Sequence, residues 1–254
     1  MLLEGKRGVI FGLANHRSLA FSIARACQAQ GARLAVAYQN ERLKDHMEKL
    51  LPELPGALAL QCDLNHDEEI IGVAKRLEEE WGQVDFVAHC VAYAVRDDLM
   101  GRFVETSREG FKIALETSAY TLVAACRALD PILSDSASIL TLSYLGGERV
   151  APNYNVMGVA KAALEASVRY LAWDFGPRGI RVNALSPGPV QTLAARGVRD
   201  FNSMLEHVRS KSAMKRDTDP EEVASAAVFL FSDLGRGITG ETIYVDAGYS
   251  IMAL

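Results

Sequence analysis

The residues best suited to chemistry gather in one stretch of the chain, where Ser143-Tyr144 is followed by Tyr154-Asn-Val-Met157-Gly-Val-Ala-Lys161. A tyrosine hydroxyl donates or accepts a proton, and a lysine ammonium donates hydrogen bonds and carries a fixed positive field. Lys161 is surrounded in sequence by Val159, Ala160, Ala162, Ala163 and Leu164. An idle ammonium in such apolar company would be expensive to bury, which favours a working one. If the segment is helical, the seven-residue step from Tyr154 to Lys161 turns about 700°. The two side chains then fall within about 20° of one line, roughly two turns apart. The same spacing also describes a plain surface stripe of one tyrosine and one lysine.

Near the N-terminus, Gly12-Leu-Ala-Asn-His-Arg-Ser18-Leu19-Ala20 follows an apolar run. It is not a G-x-G-x-x-G motif. A strand that feeds a helix nevertheless aims free backbone N–H groups and the positive end of the helix dipole at an anion, so a nucleotide pyrophosphate fits there. An ordinary strand-to-helix turn with Ser18 as N-cap is the competing reading. After the second apolar run comes Tyr38-Gln39-Asn40-Glu41-Arg42. Gln39 can hydrogen-bond a nucleotide, and no cation directly follows the strand to select a 2′-phosphate, although Arg42 comes soon after. This favours NAD over NADP. Asp63 ends the third run, where it serves a ligand or caps a turn, and His89 to Ala94 ends the fourth.

These groups need a scaffold that brings them to one edge. Apolar runs at 7–12, 33–38, 57–62, 84–90, 137–143, 180–186 and 242–246 alternate with segments of helical period at 18–30, 41–50, 67–81, 107–129, 154–175 and 219–232. Runs rich in Val, Ile, Leu and Ala without polar alternation are strands buried on both faces, which helical crossovers produce. The expected fold is therefore α/β, a doubly wound, seven-stranded parallel sheet with helices on both faces. At 254 residues with no Pro/Gly/Ser-rich linker, the chain reads as a single domain over 1–254. Residues 191–216 break the rhythm as an insert of the length used for lids and binding loops. The net charge of −5 excludes broad coating of nucleic acid. No run approaches the roughly 18 apolar residues of a membrane span, and the N-terminal apolar run Gly8-Val9-Ile10-Phe11 is too short for a signal-peptide core. A cytoplasmic protein is expected. Cys27, Cys62, Cys90 and Cys126 lie apart in apolar surroundings without metal-ligand spacing, and read as reduced packing residues with no metal site.

Taken together, Gly12 to Ala20, Tyr38-Gln39-Asn40, Leu60-Gln-Cys-Asp63, Leu140-Thr-Leu-Ser-Tyr-Leu-Gly146, Pro152-Asn-Tyr-Asn-Val-Met-Gly158, Gly188-Pro-Val-Gln-Thr-Leu-Ala-Ala195 and Gly240 to Gly248 resemble the short-chain dehydrogenase/reductase superfamily. Within it, they resemble the NADH-dependent enoyl-[acyl-carrier-protein] reductases of bacterial type II fatty acid synthesis. The most specific element is Tyr154 and Lys161 separated by six residues, with Tyr144 ten before Tyr154. Carbonyl-reducing members place their tyrosine four residues before the lysine, a position held here by Met157. Moving the hydroxyl three residues back along a helix displaces it by roughly 4.5 Å. Such a shift suits an enoyl thioester, whose negative charge develops on the C1 oxygen while C3 takes the hydride.

The resemblance implies a Rossmann-type fold with a helical substrate lid, NADH as cofactor and acyl carrier protein as the partner that presents substrate. Catalysis would fall to Tyr144, Tyr154 and Lys161. Cofactor contacts would come from Gly12, Ser18, Leu19, Gln39, Asp63, Leu64, Val91, Lys161, Val190, Gln191, Thr192, Leu193 and Ala194, and substrate contacts from Ala94, Tyr144 and Tyr154. It also implies a homotetramer. Where the family carries Ser-Ile-Gly-Phe-Ala, the sequence has Cys90-Val-Ala-Tyr-Ala94. The lid segment holds Arg196, Arg199, Arg209, Lys211, Lys215 and Arg216 against Asp200 and Glu206, a basic rim for an acidic carrier. Leu193, Val198, Phe201, Met204 and Leu205 would cover the acyl chain. The rival readings are a short-chain 3-oxoacyl or alcohol dehydrogenase, which Met157 opposes, and a non-catalytic nucleotide-binding regulator.

Overall fold

A computed structural model describes residues 1–191 and 201–253. Seven parallel strands, β1 (Arg7–Phe11), β2 (Arg33–Tyr38), β3 (Leu58–Gln61), β4 (Val84–His89), β5 (Leu133–Leu142), β6 (Arg181–Pro187) and β7 (Thr242–Val245), form one sheet in the order β3-β2-β1-β4-β5-β6-β7. The expected doubly wound sheet is thus present. The chain leaves β3 at one edge and re-enters beside β1 as β4. The C-terminal ends of β1 and β4 therefore flank the crevice where such sheets bind ligands.

Successive residues of a strand face opposite sides, and here both sides are covered. In β1, Val9 and Phe11 join a core with α3 (Asp67–Trp81), α5 (Thr121–Leu129) and α6 (Val156–Phe175). Ile10 instead joins the opposite core with α1 (Leu19–Ala29), α2 (Glu41–Leu50) and α8 (Pro220–Phe231). The first core takes Val87 of β4, and the second takes Phe86, whose ring stacks on Phe231 at 4.5 Å between centroids. Three of the four cysteines are buried and all four are free thiols, as expected of packing residues.

Several element boundaries differ from the sequence expectations. The segment read as one helix over 107–129 is α4 (Arg108–Leu115), a π-helical turn (Glu116–Tyr120) and α5. Hydroxyl side chains compete for backbone groups inside helices, and Thr121 Oγ1 donates to the Thr117 carbonyl at 2.7 Å within this widened turn. β5 begins four residues earlier than expected, its opening Leu133 pairing with Val84. The helix expected from residue 154 begins at Val156, because Asn153 and Asn155 take positive φ values of 64° and 41°. Tyr154 thus sits on a turn, and the helical-rotation argument does not govern where it points. Within the expected lid, α7 (Phe201–Lys211) is helical.

Candidate active site

The crevice is built by chain ends leaving the sheet. After β1, the N–H groups of Gly12 and Leu13 both donate to the Ala37 carbonyl, at 3.2 and 3.1 Å. Gly12 has φ +94°, and a Cβ there would lie 2.2 Å from the Cys90 carbonyl oxygen, so only glycine lets the first turn pass the end of β4. Ser18 stands at the N-cap of α1, but its hydroxyl donates to the Asn15 carbonyl at 2.7 Å and caps no helical N–H. Ser18 thus holds the N-cap position that the competing reading gave it, without a side-chain cap bond. Among the described residues, no N-cap side chain closes the start of α1, which leaves its first turn open to an anion.

At the outer end, Gln39 and Asp63 come together: Gln39 Nε2 donates to Asp63 Oδ2 at 3.0 Å. The other Asp63 oxygen accepts from Asn65 N at 3.0 Å and Nδ2 at 2.8 Å. Partial burial raises the Asp63 pKa, but these bonds and His66 outweigh it and hold the carboxyl below its ordinary value. Leu64 is buried in the sheet core beside this pair.

Past β4, His89 is fully buried between Thr121 Oγ1 and Thr141 Oγ1, each 2.9 Å from a ring nitrogen. Burial, reinforced by Lys161, drops its pKa to about 3, so the ring is neutral and acts as a strut. Val91 and Ala94 are half-buried, while Ala92 and Tyr93 are exposed along the crevice.

Lys161, on the buried side of α6, donates from Nζ to the Leu142 carbonyl at 2.6 Å, which ties α6 to the end of β5. Burial brings its pKa down to about 8, against the opposing pull of Cys90 and Glu165. The next residue, Ser143, bonds the buried Glu165 one turn further along α6. Tyr144 and Tyr154 meet edge to face, with ring centroids 4.8 Å apart. A Cβ on Gly146 would lie 2.5 Å from the Tyr154 ring, so the glycine makes the notch the ring fills. Burial raises the pKa of Tyr154 well above that of a free phenol, with Tyr144 and Glu165 adding to the effect. Tyr144 is pushed up to about 12, again mainly by burial. Both hydroxyls therefore stay protonated and serve as donors near neutral pH. Met204 of α7 approaches the Tyr144 hydroxyl at 3.7 Å, which brings the expected lid helix to the pocket.

The predicted residues thus gather along one sheet edge, with Val190 half-buried and Gln191 exposed just past β6. Thr192, Leu193, Ala194, Arg196, Val198, Arg199 and Asp200, together with the side chain of Phe201, lie outside the described residues. The expected basic rim is smaller than the count of cations indicated. Arg209 pairs with Asp217 (2.5 and 3.0 Å) and Arg216 with Glu222 (2.5 and 2.8 Å), acids just beyond the segment in which the charges were counted. The sequence reading missed the polar residues of the π turn and Asn65. Thr117-Ser118 interrupting an apolar stretch was the available signal.

A family model described as Enoyl-(Acyl carrier protein) reductase matches residues 12–250. The NADH-dependent enoyl-[acyl-carrier-protein] reductase of Bacillus cereus is 52% identical over 99% of both chains, and the NADPH-dependent one of Staphylococcus aureus is 46% identical over 97% of both. Among solved structures, the Bacillus cereus reductase with NADP+ and indole naphthyridinone superposes with TM-score 0.97 at 52% identity, covering 100% of this chain and 99% of the other. The Anaplasma phagocytophilum reductase in complex with NAD superposes equally well at 47% identity, covering 100% and 97%. The chain belongs to the enoyl-[acyl-carrier-protein] reductase family of the short-chain dehydrogenases/reductases.

Proposed function

We propose that this chain reduces the C2–C3 double bond of a trans-2-enoyl thioester carried by acyl carrier protein, using NADH. The observation that carries this reading is the neutral Tyr154 hydroxyl, packed against Tyr144 on the turn that opens α6, the helix of the buried Lys161, with Met157 where a carbonyl reductase has tyrosine. When bound, the dihydronicotinamide supplies hydride to C3. Tyr154 then donates a hydrogen bond to the C1 oxygen as enolate charge develops there. Preorganised donors of this kind are commonly worth about 10² to 10³ in rate. Tyr144 lines the acyl side, and Ala94 touches substrate. C2 finally takes a proton that solvent water supplies, leaving the saturated thioester and oxidised cofactor.

The residues present fit a dinucleotide. The open first turn of α1, with Gly12, Ser18 and Leu19, receives the pyrophosphate. Gln39 reaches the adenosine ribose, and Asp63 and Leu64 flank the adenine. Val91 and Lys161 hold the nicotinamide ribose, and Val190 with residues 191–194 surrounds the carboxamide and phosphates. Lys161 spends one of its three protons on Leu142, which leaves donors for the ribose hydroxyls. NADH is preferred because Asp63, held ionised beside Gln39, repels a 2′-phosphate.

The lid over residues 191–216 belongs to the same single domain. A homotetramer is supported by Tyr170 and Trp173, 76% and 82% exposed on the outer side of α6, which a second copy would cover. No helix among the described residues is long and apolar enough to cross a membrane. The carrier-bound substrate supports a cytoplasmic location.

The test is NADH oxidation with trans-2-enoyl and 3-oxoacyl thioesters, in the wild type and Tyr154→Phe. The expected result is enoyl-specific activity that falls about 10² to 10³ in the variant while NADH affinity holds. A wild type active only on 3-oxoacyl thioesters, or one that binds NADH without turnover, would overturn the proposal.

A further inference from the structure

The π turn Glu116–Tyr120 touches both ends of the crevice. Ser118 is fully buried, and its Oγ accepts from the Tyr93 N–H at 2.9 Å and faces the Tyr93 carbonyl at 3.0 Å. The same oxygen lies 3.7 Å from Met157 Sδ, in the first turn of α6. One hydroxyl thus fixes the backbone of the 91–94 segment and braces it against the helix that Tyr154 precedes. The residue before it, Thr117, points the other way. Its Oγ1 donates to Asn65 Oδ1 at 2.8 Å, and Asn65 Nδ2 donates in turn to Asp63, the acceptor of Gln39. The turn is itself anchored: Thr121 Oγ1 donates to the Thr117 carbonyl and meets the neutral His89 ring, which also contacts Thr141 of β5.

A regular α-helix would turn adjacent side chains by about 100° and give each a different environment. The widened turn likewise points Thr117 and Ser118 apart, two adjacent buried hydroxyls that serve separate segments. π-helical turns inside α-helices recur at functional sites.

We propose that Ser118 and Thr117 are positioning residues for the reduction: Ser118 sets the segment that faces the nicotinamide and the acyl chain, and Thr117, through Asn65, sets Asp63 at the adenine end. Neither residue touches the reacting atoms. The inference rests on the enoyl reductase reading given above, so wild-type turnover of an enoyl thioester is measured first. If that turnover is absent, the functional reading itself fails, whatever the variants do.

Given that turnover, Ser118→Ala and Thr117→Val separate the two ends. Ser118→Ala is expected to lower kcat and raise the KM for the enoyl thioester, with kcat/KM down about tenfold to a hundredfold, since small misplacements near reacting groups have effects of that order. The NADH dissociation constant, read by quenching of intrinsic fluorescence, should rise less than that KM in the same variant, because most of the cofactor contacts proposed above lie outside the 91–94 segment. Thr117→Val is expected to act mainly on NADH affinity, weakening it about fivefold, the value of a typical lost hydrogen bond. Parallel losses in all constants for both variants would assign the turn a purely structural role, and unchanged constants would remove it from the site. Either result overturns the proposal. Should Ser118→Ala fail to fold, amide hydrogen exchange in the wild type decides the Ser118 half. Protection of the Tyr93 N–H comparable to the sheet is expected, and exchange at the rate of an open loop overturns it.

Discussion

Replacing Lys161 with methionine should abolish turnover and yet raise the resistance of the folded chain to urea at neutral pH. The lysine pKa is 10.5 when exposed and is brought down to about 8 by burial in the fold. Between those values the unfolded chain holds the proton more readily than the folded one, so stability climbs with pH across that window. Below it, the folded wild type carries the whole cost of the buried ammonium, about 3 kcal/mol. Methionine keeps the length of the side chain and removes the charge. It also strands the Leu142 carbonyl, which accepts from Nζ at 2.6 Å, at a cost of about 1 to 3 kcal/mol. The two effects differ in one respect: the stranded carbonyl costs the same at every pH, while the relief of charge fades as pH rises. Relative to wild type, the variant should therefore lose about 2 kcal/mol of its advantage between about pH 7 and pH 10. Among the neighbours, the Cys90 thiol is pushed up to about 12, Tyr154 lies higher, His89 is down at about 3, and burial raises the Glu165 carboxyl, a contribution that making both measurements in a Glu165→Gln background removes. Urea unfolding followed by tryptophan fluorescence at several pH values measures the difference directly. A stability gap between the two proteins that stays constant with pH would refute the reasoning, because Lys161 would then carry no cost of burial.

Gly12→Ala forces a side chain into φ +94° and against the Cys90 carbonyl, and should cost more than about 2 kcal/mol in urea unfolding while abolishing NADH binding. Gly146→Ala drives a methyl group into the Tyr154 ring. It should lower kcat about a hundredfold with little change in NADH affinity, as stopped-flow binding and steady-state turnover would record. Arg209→Gln and Arg216→Gln should leave the KM for carrier-bound substrate within about twofold, because each guanidinium is already committed to a carboxylate. A large rise in that KM alone would return both arginines to the docking surface.

The sheet was legible because a strand covered on both faces leaves a continuous apolar run, as at Arg33–Tyr38, and because turn residues such as Gly12 and Gly31 punctuate the runs. The helices α2 and α3 were legible to the residue from their apolar residues at helical spacing. Tyr154, Lys161 and Asp63 could be picked out by residue type and spacing. Their mutual placement could not, since it depends on two asparagines with positive φ and on a notch at Gly146, local events that leave no periodic trace. The π turn escaped because one extra residue per turn barely disturbs an apolar pattern. The basic rim was overcounted because Asp217 and Glu222, which neutralise two of its members, follow the segment in sequence and return to it only in space.

The four cysteines have a practical consequence for anyone who would inhibit this enzyme. Burial pushes the Cys62, Cys90 and Cys126 thiols up to about 12 and Cys27 higher still, so almost none is present as thiolate at physiological pH. Cys90 adjoins the crevice and would tempt the designer of a covalent warhead, but its sulfur is a poor nucleophile there. Electrophilic drugs and peroxide should both pass it by, and compounds aimed at this pocket will have to succeed by reversible fit against the two tyrosines.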